Sequence, residues 1–241
     1  MPAPDYLSST EAPKPDSDLW HRFYQEKQNR GRYPTEWVIR TLAGGNYPKL
    51  KIDKSKFAGA RILDLSCGDG RNLPLLLDLG FEVHATEIAE PMIRELKKFA
   101  LDRNWDVSFQ VGRNTQLPYL DGYFDYVLSC SSFYYIDMST AWEEVMREIA
   151  RIVRPGGIFI ANFPDPENAV LAHAEELPDG SMMIRDDPFK LRNGLRFMVA
   201  RTTEDVARLI GPWFTPLGVG RQNDNFYGLM VSAYFFAAQR A

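Results

Sequence analysis

Predicted β-strands alternate with predicted α-helices through the middle of the chain, and this alternation limits the available folds more than any other feature. Short apolar runs with the length and composition of buried strands lie at 61–65, 82–86, 107–111, 124–129 and 158–162. Helices are predicted between them at 72–79, 90–101 and 140–153. Strands separated by helices imply crossover connections and a mainly parallel sheet. We therefore predict an α/β fold with a doubly wound sheet.

The region after the fifth strand departs from this alternation. Residues 163–200 are predicted to form an insertion, which can serve substrate binding or oligomer contacts or can simply cover apolar surface. Its predicted elements are a helix at 168–177 and a hairpin of strands 182–185 and 195–200 joined through DDPFKLRNG. The chain then continues with a predicted helix and an edge hairpin, at 202–210, 215–221 and 227–237. The hairpin brings the sheet to seven strands and adds an antiparallel C-terminal strand.

The N-terminal region is predicted to have two parts ahead of the main domain, which we place at 58–241. Residues 1–17 are rich in proline and small or acidic residues and are predicted to be a disordered tail. Residues 18–57 are predicted to form a helical lid, with two short amphipathic helices interrupted at Tyr33 and Pro34. The aromatic residues of this segment need an apolar surface to bury against. The alternative is a static helix pair on the flank of the sheet.

Charge and hydropathy exclude several classes of partner. The net charge is −4 with a pI of about 5.5, and no basic block suggests a nucleic-acid track. No apolar run approaches the roughly eighteen residues of a membrane span, and the N-terminal residues lack the apolar core of a signal peptide. The only cysteines, Cys67 and Cys130, form neither a metal-ligand cluster nor a disulfide framework. We predict a cytoplasmic protein with no metal site, no nucleic-acid partner and no membrane association.

The segment RILDLSCGDGRN, residues 61–72, has the pattern of a ligand-binding turn. A strand ends at Asp64, a turn with Gly68 and Gly70 follows, and a helix begins. The glycines allow a tight turn and a close approach to a ligand. In a doubly wound sheet this turn lies at the carboxyl edge, where ligands bind. Glu87, 19 residues beyond Gly68, ends the next strand and can accept hydrogen bonds from both hydroxyls of an adenosine ribose.

A nicotinamide-binding turn shares this layout and is one alternative. Its fingerprint usually has a third small residue three positions after the second glycine, where this chain has Leu73. Asp64 directly before the turn is also unsuited to a pyrophosphate seated close to the helix. A nicotinamide-dependent oxidoreductase is therefore the alternative interpretation rather than the preferred one.

Four motifs in the same order resemble those of class I S-adenosylmethionine (SAM)-dependent methyltransferases. DLSCGDGRN resembles their D-x-G-x-G-x-G first motif, with Ser66 in place of the first glycine, and VHATEIAEPMI resembles their second. VGRNTQLPYLDGYFDYVLS resembles the stretch through strands three and four, and REIARIVRPGGIFIANF the helix, turn and strand that follow. Together they cover about residues 58–163. The resemblance, closest to small-molecule enzymes with a methyltransferase domain of the 11/25-like type, implies a Rossmann-like seven-stranded fold.

The resemblance also implies SAM as the cofactor, S-adenosylhomocysteine as its product, and a set of cofactor-binding residues. Asp64 would orient the turn or meet the ammonium of the methionine part, Glu87 would hold the ribose, and Ile88 would pack on adenine. At the adenine edge the family usually has an aspartate directly after a glycine, whereas this chain has Gly112, Arg113 and Asn114, and Asn114 would take that role. The full implied set is Asp64, Ser66, Cys67, Gly68, Gly70, Asn72, Glu87, Ile88, Met92, Gly112, Arg113, Asn114, Thr115 and Cys130.

The candidate acceptor wall is residues 130–135, CSSFYY, after the fourth strand. Aromatic faces there could stabilise a cation, and Tyr134 or Tyr135 could hydrogen-bond the acceptor, although such rings can also simply cap the core. Methyl transfer needs a base only if the acceptor loses a proton, and His173 on the insertion or His21 on the N-terminal helix is a candidate.

The preferred function is transfer of a methyl group to nitrogen or oxygen of a small molecule, in a biosynthetic pathway. An aminopropyl-type transferase that uses decarboxylated SAM and a non-catalytic SAM-binding domain are two further hypotheses. The expected partner is a small-molecule substrate, and homodimer formation stays open.

Overall fold

The computed structural model describes residues 17–25, 32–45 and 50–241. The predicted tail lies outside these residues apart from its last position. Six α-helices are described: α1 Ser17–Gln25, α2 Glu36–Leu42, α3 Leu73–Asp78, α4 Glu90–Leu101, α5 Trp142–Ile152 and α6 Thr203–Ile210. The strands are β1 Arg61–Asp64, β2 Glu82–Glu87, β3 Val107–Val111, β4 Phe124–Ser129, β5 Tyr135–Ile136, β6 Val153–Pro164, β7 Glu175–Glu176, β8 Met182–Met183, β9 Arg196–Phe197, β10 Phe214–Phe226 and β11 Leu229–Arg240. Short 3₁₀ helices span Lys54–Lys56 and Ala169–Leu171.

A seven-stranded sheet forms the centre of the fold, in the order β10-β11-β6-β4-β1-β2-β3. β1 pairs in parallel with both β2 and β4, β2 with β3, and β4 with β6. β11 runs antiparallel to both of its neighbours, β6 and β10. The predicted doubly wound, mainly parallel sheet with an antiparallel C-terminal strand is confirmed. The order reverses direction between β1 and β4, which is where such sheets bind ligands.

Helices cover both faces of the sheet because its strands alternate apolar side chains between two cores. In β1, Leu63 belongs to the core on the side of α5 and α6, whereas its neighbour Ile62 belongs to the core on the side of α2, α3 and α4. Both side chains are fully buried. A strand that is buried on both faces has a continuous run of apolar residues. For this reason a buried strand could be predicted at residues 61–65 from the sequence.

The start of β6 differs from the prediction. The sequence predicts that residues 154–157, RPGG, end the helix and that the strand begins at 158, but pairing with β4 already begins at Val153. The register jumps so that Asp125 alone lies opposite residues 154–157, which makes the segment a bulge. Gly156 has a φ of +74°, and a Cβ on Gly157 would lie 2.9 Å from the Asp125 carbonyl oxygen. The glycines therefore allow a bulge rather than a turn.

The insertion supplies β7, β8 and β9 of a second, four-stranded sheet with the order β5-β9-β8-β7. The predicted hairpin is confirmed, with Met182 opposite Phe197 and Met183 opposite Arg196. The predicted helix at 168–177 is wrong. The Asn168 side chain accepts a hydrogen bond from the backbone N–H of Val170 at 3.1 Å, and only one 3₁₀ turn follows before β7 pairs with β8. Since β9 also pairs with β5, the insertion is joined to the segment that follows β4.

The two predicted N-terminal helices are present but lie in different places. Trp37, Val38 and Leu42 of α2 are buried in the core beneath the sheet, and the Trp37 ring stacks on Phe235 with centroids 6.1 Å apart. α2 is therefore a fixed part of the core, as in the static alternative, whereas α1 lies over the carboxyl edge of the sheet. None of the helices in the described segments is long and apolar enough to cross a membrane.

Candidate cofactor and acceptor site

One cavity of about 440 Å³ opens at the carboxyl ends of the parallel strands. The ends of β1, β2, β3, β4 and β6 each contribute to it, together with α1 and the insertion. The residues that line its cofactor side include Asp64, Ser66, Cys67, Gly68, Asn72, Glu87, Ile88, Gly112, Arg113, Asn114 and Thr115. Those on the other side include Trp20, Cys130, Tyr134, Tyr135, Asp137, Thr140, Asn168, Arg192 and Phe197.

The turn after β1 adopts the conformation that its glycine pattern predicts. Ser66, Gly68 and Gly70 have φ angles of +54°, +62° and +73°. Ser66 therefore has a left-handed backbone conformation, as expected of a glycine at this position. Its β-carbon makes this conformation less favourable than it would be for glycine. The turn is tied to the end of β2, because the Cys67 N–H donates to the Thr86 carbonyl at 2.9 Å.

Asp64 is a buried carboxyl group at the cavity, next to the side chain of Asn72. Its side chain ends β1, the residue is 1% exposed, and neither carboxyl oxygen accepts a hydrogen bond within the described part of the chain. Burial, reinforced by the nearby Glu87, raises the pKa of Asp64 from 3.8 to about 8. A buried, ionised carboxylate is stable only beside a positively charged group. Asp64 lines the cavity, so a cationic group of a bound ligand can occupy that position.

Glu87 holds the turn and still has capacity for a ligand. One carboxylate oxygen accepts the Gly68 N–H at 2.6 Å and the other accepts the Ile88 N–H at 3.0 Å. Burial raises the pKa of Glu87 from 4.5 to about 7, while these two backbone bonds act in the opposite direction. Since each carboxylate oxygen has two lone pairs, both can also accept a hydroxyl from the cavity.

The loop after β3 is organised by its own backbone and by Asn114. Arg113 and Gln116 exchange two backbone hydrogen bonds, of 3.0 and 2.8 Å, which places residues 114 and 115 at the cavity. The Asn114 amide donates to the Ser132 carbonyl at 3.3 Å and accepts from the Ser66 hydroxyl at 3.2 Å. Asn114 therefore connects the loops after β1, β3 and β4, and one amide hydrogen remains for a ligand.

The acceptor side is dominated by two stacked tyrosines. The rings of Tyr134 and Tyr135 lie 5.1 Å apart at an angle of 21°. Burial raises the pKa of both phenols, so both are protonated at neutral pH. The Tyr135 oxygen accepts a hydrogen bond from Nε of Arg192 at 3.0 Å. Arg192 comes from the DDPFKLRNG segment, so the insertion completes this wall.

The aromatic face of α1 covers the opening. The Trp20 ring meets the Tyr135 ring edge-on at 5.6 Å, and His21 lies 2.8 Å from Glu95 on α4. A Cβ on Gly68 would come within 2.5 Å of the Tyr24 hydroxyl oxygen. Only glycine at position 68 therefore fits beneath α1 in this arrangement.

Both thiols lie at the cavity, as the sequence predicts. Cys67 is buried in the turn, and the Cys130 Sγ is 3.3 Å from the Thr35 hydroxyl. Burial raises the pKa of each thiol, so neither is a reactive thiolate.

Three predicted site residues are not brought to the cavity. Gly70 shapes the turn from behind, where a Cβ would lie 2.8 Å from Leu73. Met92 is buried within α4. His173 is exposed on the insertion and does not line the cavity, so we do not retain it as a candidate base.

Several lining residues were missed by sequence reasoning. Arg71 was predicted to lie in the turn and Thr35 in the lid, but neither was predicted to line the cavity, as both do. Asp137, Thr140 and Arg192 belong to no motif. For Arg192, the sequence indicated only that the insertion that contains it can serve substrate binding.

Comparison with known proteins agrees with this geometry. Residues 63–161 match the family model described as "Methyltransferase domain". Together with the fold, this match makes the chain similar to the class I SAM-dependent methyltransferases, whose cofactor is SAM. The nicotinamide-dependent alternative is set aside.

Among curated relatives, a demethylmenaquinone methyltransferase of Beutenbergia cavernae is 33% identical over 109 residues, 45% of this chain and 42% of that protein. A ubiquinone biosynthesis O-methyltransferase of Xanthomonas oryzae pv. oryzae is 26% identical over 179 residues, 70% of this chain and 72% of that protein. The chain spans about half the length of several curated relatives that it matches.

Among solved structures, the PH0226 protein from Pyrococcus horikoshii OT3 superposes with a TM-score of 0.62 at 25% identity, over 91% of this chain and 99% of that one. A Burkholderia thailandensis 1,6-didemethyltoxoflavin-N1-methyltransferase with bound S-adenosylhomocysteine superposes with a TM-score of 0.59 at 18% identity, over the whole of both chains. The second likeness shows the fold alone.

Proposed function

We propose that this chain transfers the methyl group of SAM to a nitrogen or oxygen atom of a small-molecule acceptor in a biosynthetic pathway. The observation that carries the proposal is the cavity in which the unpartnered carboxyl of Asp64 and the polar, aromatic wall at Tyr134 and Tyr135 meet. Relatives named as a demethylmenaquinone methyltransferase and a ubiquinone biosynthesis O-methyltransferase support a small-molecule acceptor, and the second name supports transfer to oxygen.

The residues of the cofactor side fit SAM. Asp64 would receive the ammonium of the methionine part, which supplies the cation that this buried carboxylate lacks. Glu87 would accept the ribose hydroxyls with the lone pairs that its backbone bonds leave free. The loop at 112–115 and Ile88 would enclose the adenine. Backbone groups of residues 66–68 would line the methionine part.

When bound, SAM supplies a methyl group on a positively charged sulfur, and transfer breaks the carbon–sulfur bond as the acceptor atom bonds to the methyl carbon. The chain's own part is to align the acceptor and exclude water. Tyr134 and Tyr135, held protonated, can donate hydrogen bonds to the acceptor or present their ring faces to the sulfonium.

Asp137 is the candidate to receive a proton from the acceptor. It lines the acceptor side, and its buried Oδ1 accepts no hydrogen bond within the described residues. An acceptor hydroxyl or amine that becomes methylated loses one proton, and a carboxylate within the cavity can hold it. His173, which lies outside the cavity, is not needed for this step.

α1 is the candidate lid. Trp20 and Tyr24 lie over the acceptor wall and the glycine turn, and no strand of the described sheet depends on α1 for its hydrogen bonds. Closure of this helix over bound SAM and acceptor would remove water from the reacting atoms.

Incubation with isotopically labelled SAM and a small-molecule metabolite extract tests the proposal. The expected result is a labelled small molecule that mass spectrometry identifies, formed by the wild-type protein and absent with Asp64→Asn. SAM binding without labelling of any small molecule would support a non-catalytic SAM-binding domain. Labelling with decarboxylated SAM as the group donor would support the aminopropyl-transferase hypothesis.

A further inference from the structure

We infer that the acceptor carries an anionic group, such as a carboxylate, and that Arg192 is the specificity-determining residue that binds it. The inference rests on the proposed function for the identity of the ligand as a methyl acceptor. It concerns a different part of the cavity from the one that holds SAM.

The loop that carries Arg192 is folded around one buried carboxylate. Asp187 is fully buried. Its oxygens accept the backbone N–H groups of Phe189, Leu191 and Arg192 at 3.0, 3.1 and 2.9 Å. The Asp187 N–H in turn donates to the Asn193 side chain at 2.7 Å. Such a loop holds a fixed shape, so Arg192 is presented to the cavity in one position.

The Arg192 guanidinium is only partly used by the protein. Nη1 lies 3.1 Å from Asp187, and Nε donates to the Tyr135 hydroxyl. Nη2 makes no hydrogen bond in the described part of the chain, although the side chain is only 18% exposed. Asp187 and Tyr135 use Nη1 and Nε, so Nη2 is the part of the guanidinium that is left for a ligand.

The surroundings favour an anion of planar shape. The guanidinium carbon is 5.8 Å from the Trp20 ring, and Tyr135 and Phe197 add aromatic faces to the same wall. In an apolar enclosure a charged donor has few water molecules as partners, which strengthens a hydrogen bond to an anion. A carboxylate can accept from the free guanidinium nitrogen.

Asp137 lies on the same side of the cavity and places a second requirement on the acceptor molecule. An anion near Asp137 is unfavourable unless the ligand also presents a hydrogen-bond donor to it. The hydroxyl or amine that is to be methylated is such a donor. The acceptor class is therefore a planar acid that also carries a hydroxyl or amino group.

Direct binding tests the anion site without requiring turnover. Ligand-observed NMR on the protein loaded with S-adenosylhomocysteine compares benzoate with its neutral isostere benzamide. We expect the wild-type protein to prefer benzoate by about tenfold, the scale of one hydrogen bond to a charged group. Arg192→Gln should remove the preference and Arg192→Lys should retain part of it. Arg185→Gln, at an exposed arginine of the same insertion that pairs with Glu175, is the matched control and should keep it.

Equal binding of benzoate and benzamide by the wild-type protein would overturn the inference, and so would a preference that survives in Arg192→Gln. Calorimetry should show unchanged SAM affinity in Arg192→Gln. A fall in SAM affinity as large as the fall in benzoate affinity would assign Arg192 to the methionine carboxylate instead.

The labelling experiment separates this inference from the proposed function when the extract is first divided by anion exchange. Label in the retained, acidic fraction supports both. Label only in the unretained fraction overturns the role of Arg192 and leaves methyl transfer intact. A benzoate preference without any labelling supports the anion site and contradicts methyl transfer.

Discussion

Replacing Asp64 with asparagine removes a carboxyl group that has no hydrogen-bond partner of its own among the described residues. The group's pKa is 3.8 in the unfolded chain and about 8 in the folded protein. An acid whose pKa is raised on folding stabilises the folded state fully at pH values below its unfolded pKa, and this contribution is lost as the pH rises through the folded pKa. Without SAM, the wild-type protein should therefore become less stable between pH 4 and pH 8.

The magnitude follows from the shift. Each pH unit between the two pKa values changes the free energy of unfolding by about 1.4 kcal/mol. Between pH 5 and pH 8 the Asp64 carboxyl should therefore cost the wild-type protein about 3–4 kcal/mol. Glu87, with a pKa raised to about 7, adds to the loss in the same direction, but it is present in both proteins. The difference between wild type and Asp64→Asn therefore reports Asp64 together with its repulsion of Glu87.

Urea denaturation of the SAM-free proteins at pH 5 and pH 8 measures this difference. We expect the stability of Asp64→Asn relative to the wild type to be about 3–4 kcal/mol greater at pH 8 than at pH 5. Calorimetry at pH 7.5 should show SAM binding weakened at least about tenfold, because the ammonium loses its anionic partner. Asp106→Asn, at an exposed position, is the control. Parallel stability profiles for wild type and Asp64→Asn would refute the argument.

Four further predictions follow from the cavity. Glu87→Ala should lose roughly 1.5–3 kcal/mol of SAM affinity, and an unchanged Kd by calorimetry would contradict the ribose assignment. Ser66→Gly should be about 1 kcal/mol more stable in urea than Ser66→Ala, since both lack the hydroxyl and only alanine keeps a β-carbon at positive φ; equal stabilities would show that the turn relaxes. Iodoacetamide should modify Cys67 slowly, and bound SAM should slow its reaction with Cys130; mass spectrometry showing equal labelling with and without SAM would count against this placement. Deleting residues 1–31 removes α1 but keeps α2, and should leave SAM binding measurable while turnover falls steeply; full turnover would exclude a lid.

The parts of the fold that sequence could predict are those encoded locally. Strands buried on both faces, such as β1, are continuous apolar runs, and the helices between them carry one apolar face. The turn with Gly68 and the carboxyl of Glu87 were predictable because each follows directly on a strand. Parallel strands bring their carboxyl ends to one edge, so residues far apart in the chain line one cavity.

The insertion was less predictable because its structure depends on partners distant in the chain. The helix at 168–177 was predicted from residues that instead form a 3₁₀ turn and pair with Met182 and Met183. Arg192 reaches the cavity only because Asp187 fixes its loop, and no local pattern indicates that. The cytoplasmic location, the absence of a nucleic-acid partner and homodimer formation stay predictions.

The loop around Asp187 contributes one part of the acceptor wall, through Arg192, that does not belong to the central sheet. Hydrogen bonds to Asp187 within residues 187–193 shape this loop, and the Arg192 side chain connects it to Tyr135. Substitutions in this loop can therefore change the charge and outline that an acceptor meets while the turn at Gly68 stays as it is. A protein built in this way can acquire new substrates through changes in a few loop residues, and grafting residues 186–194 between related enzymes would exchange acceptor preference while the cofactor is retained.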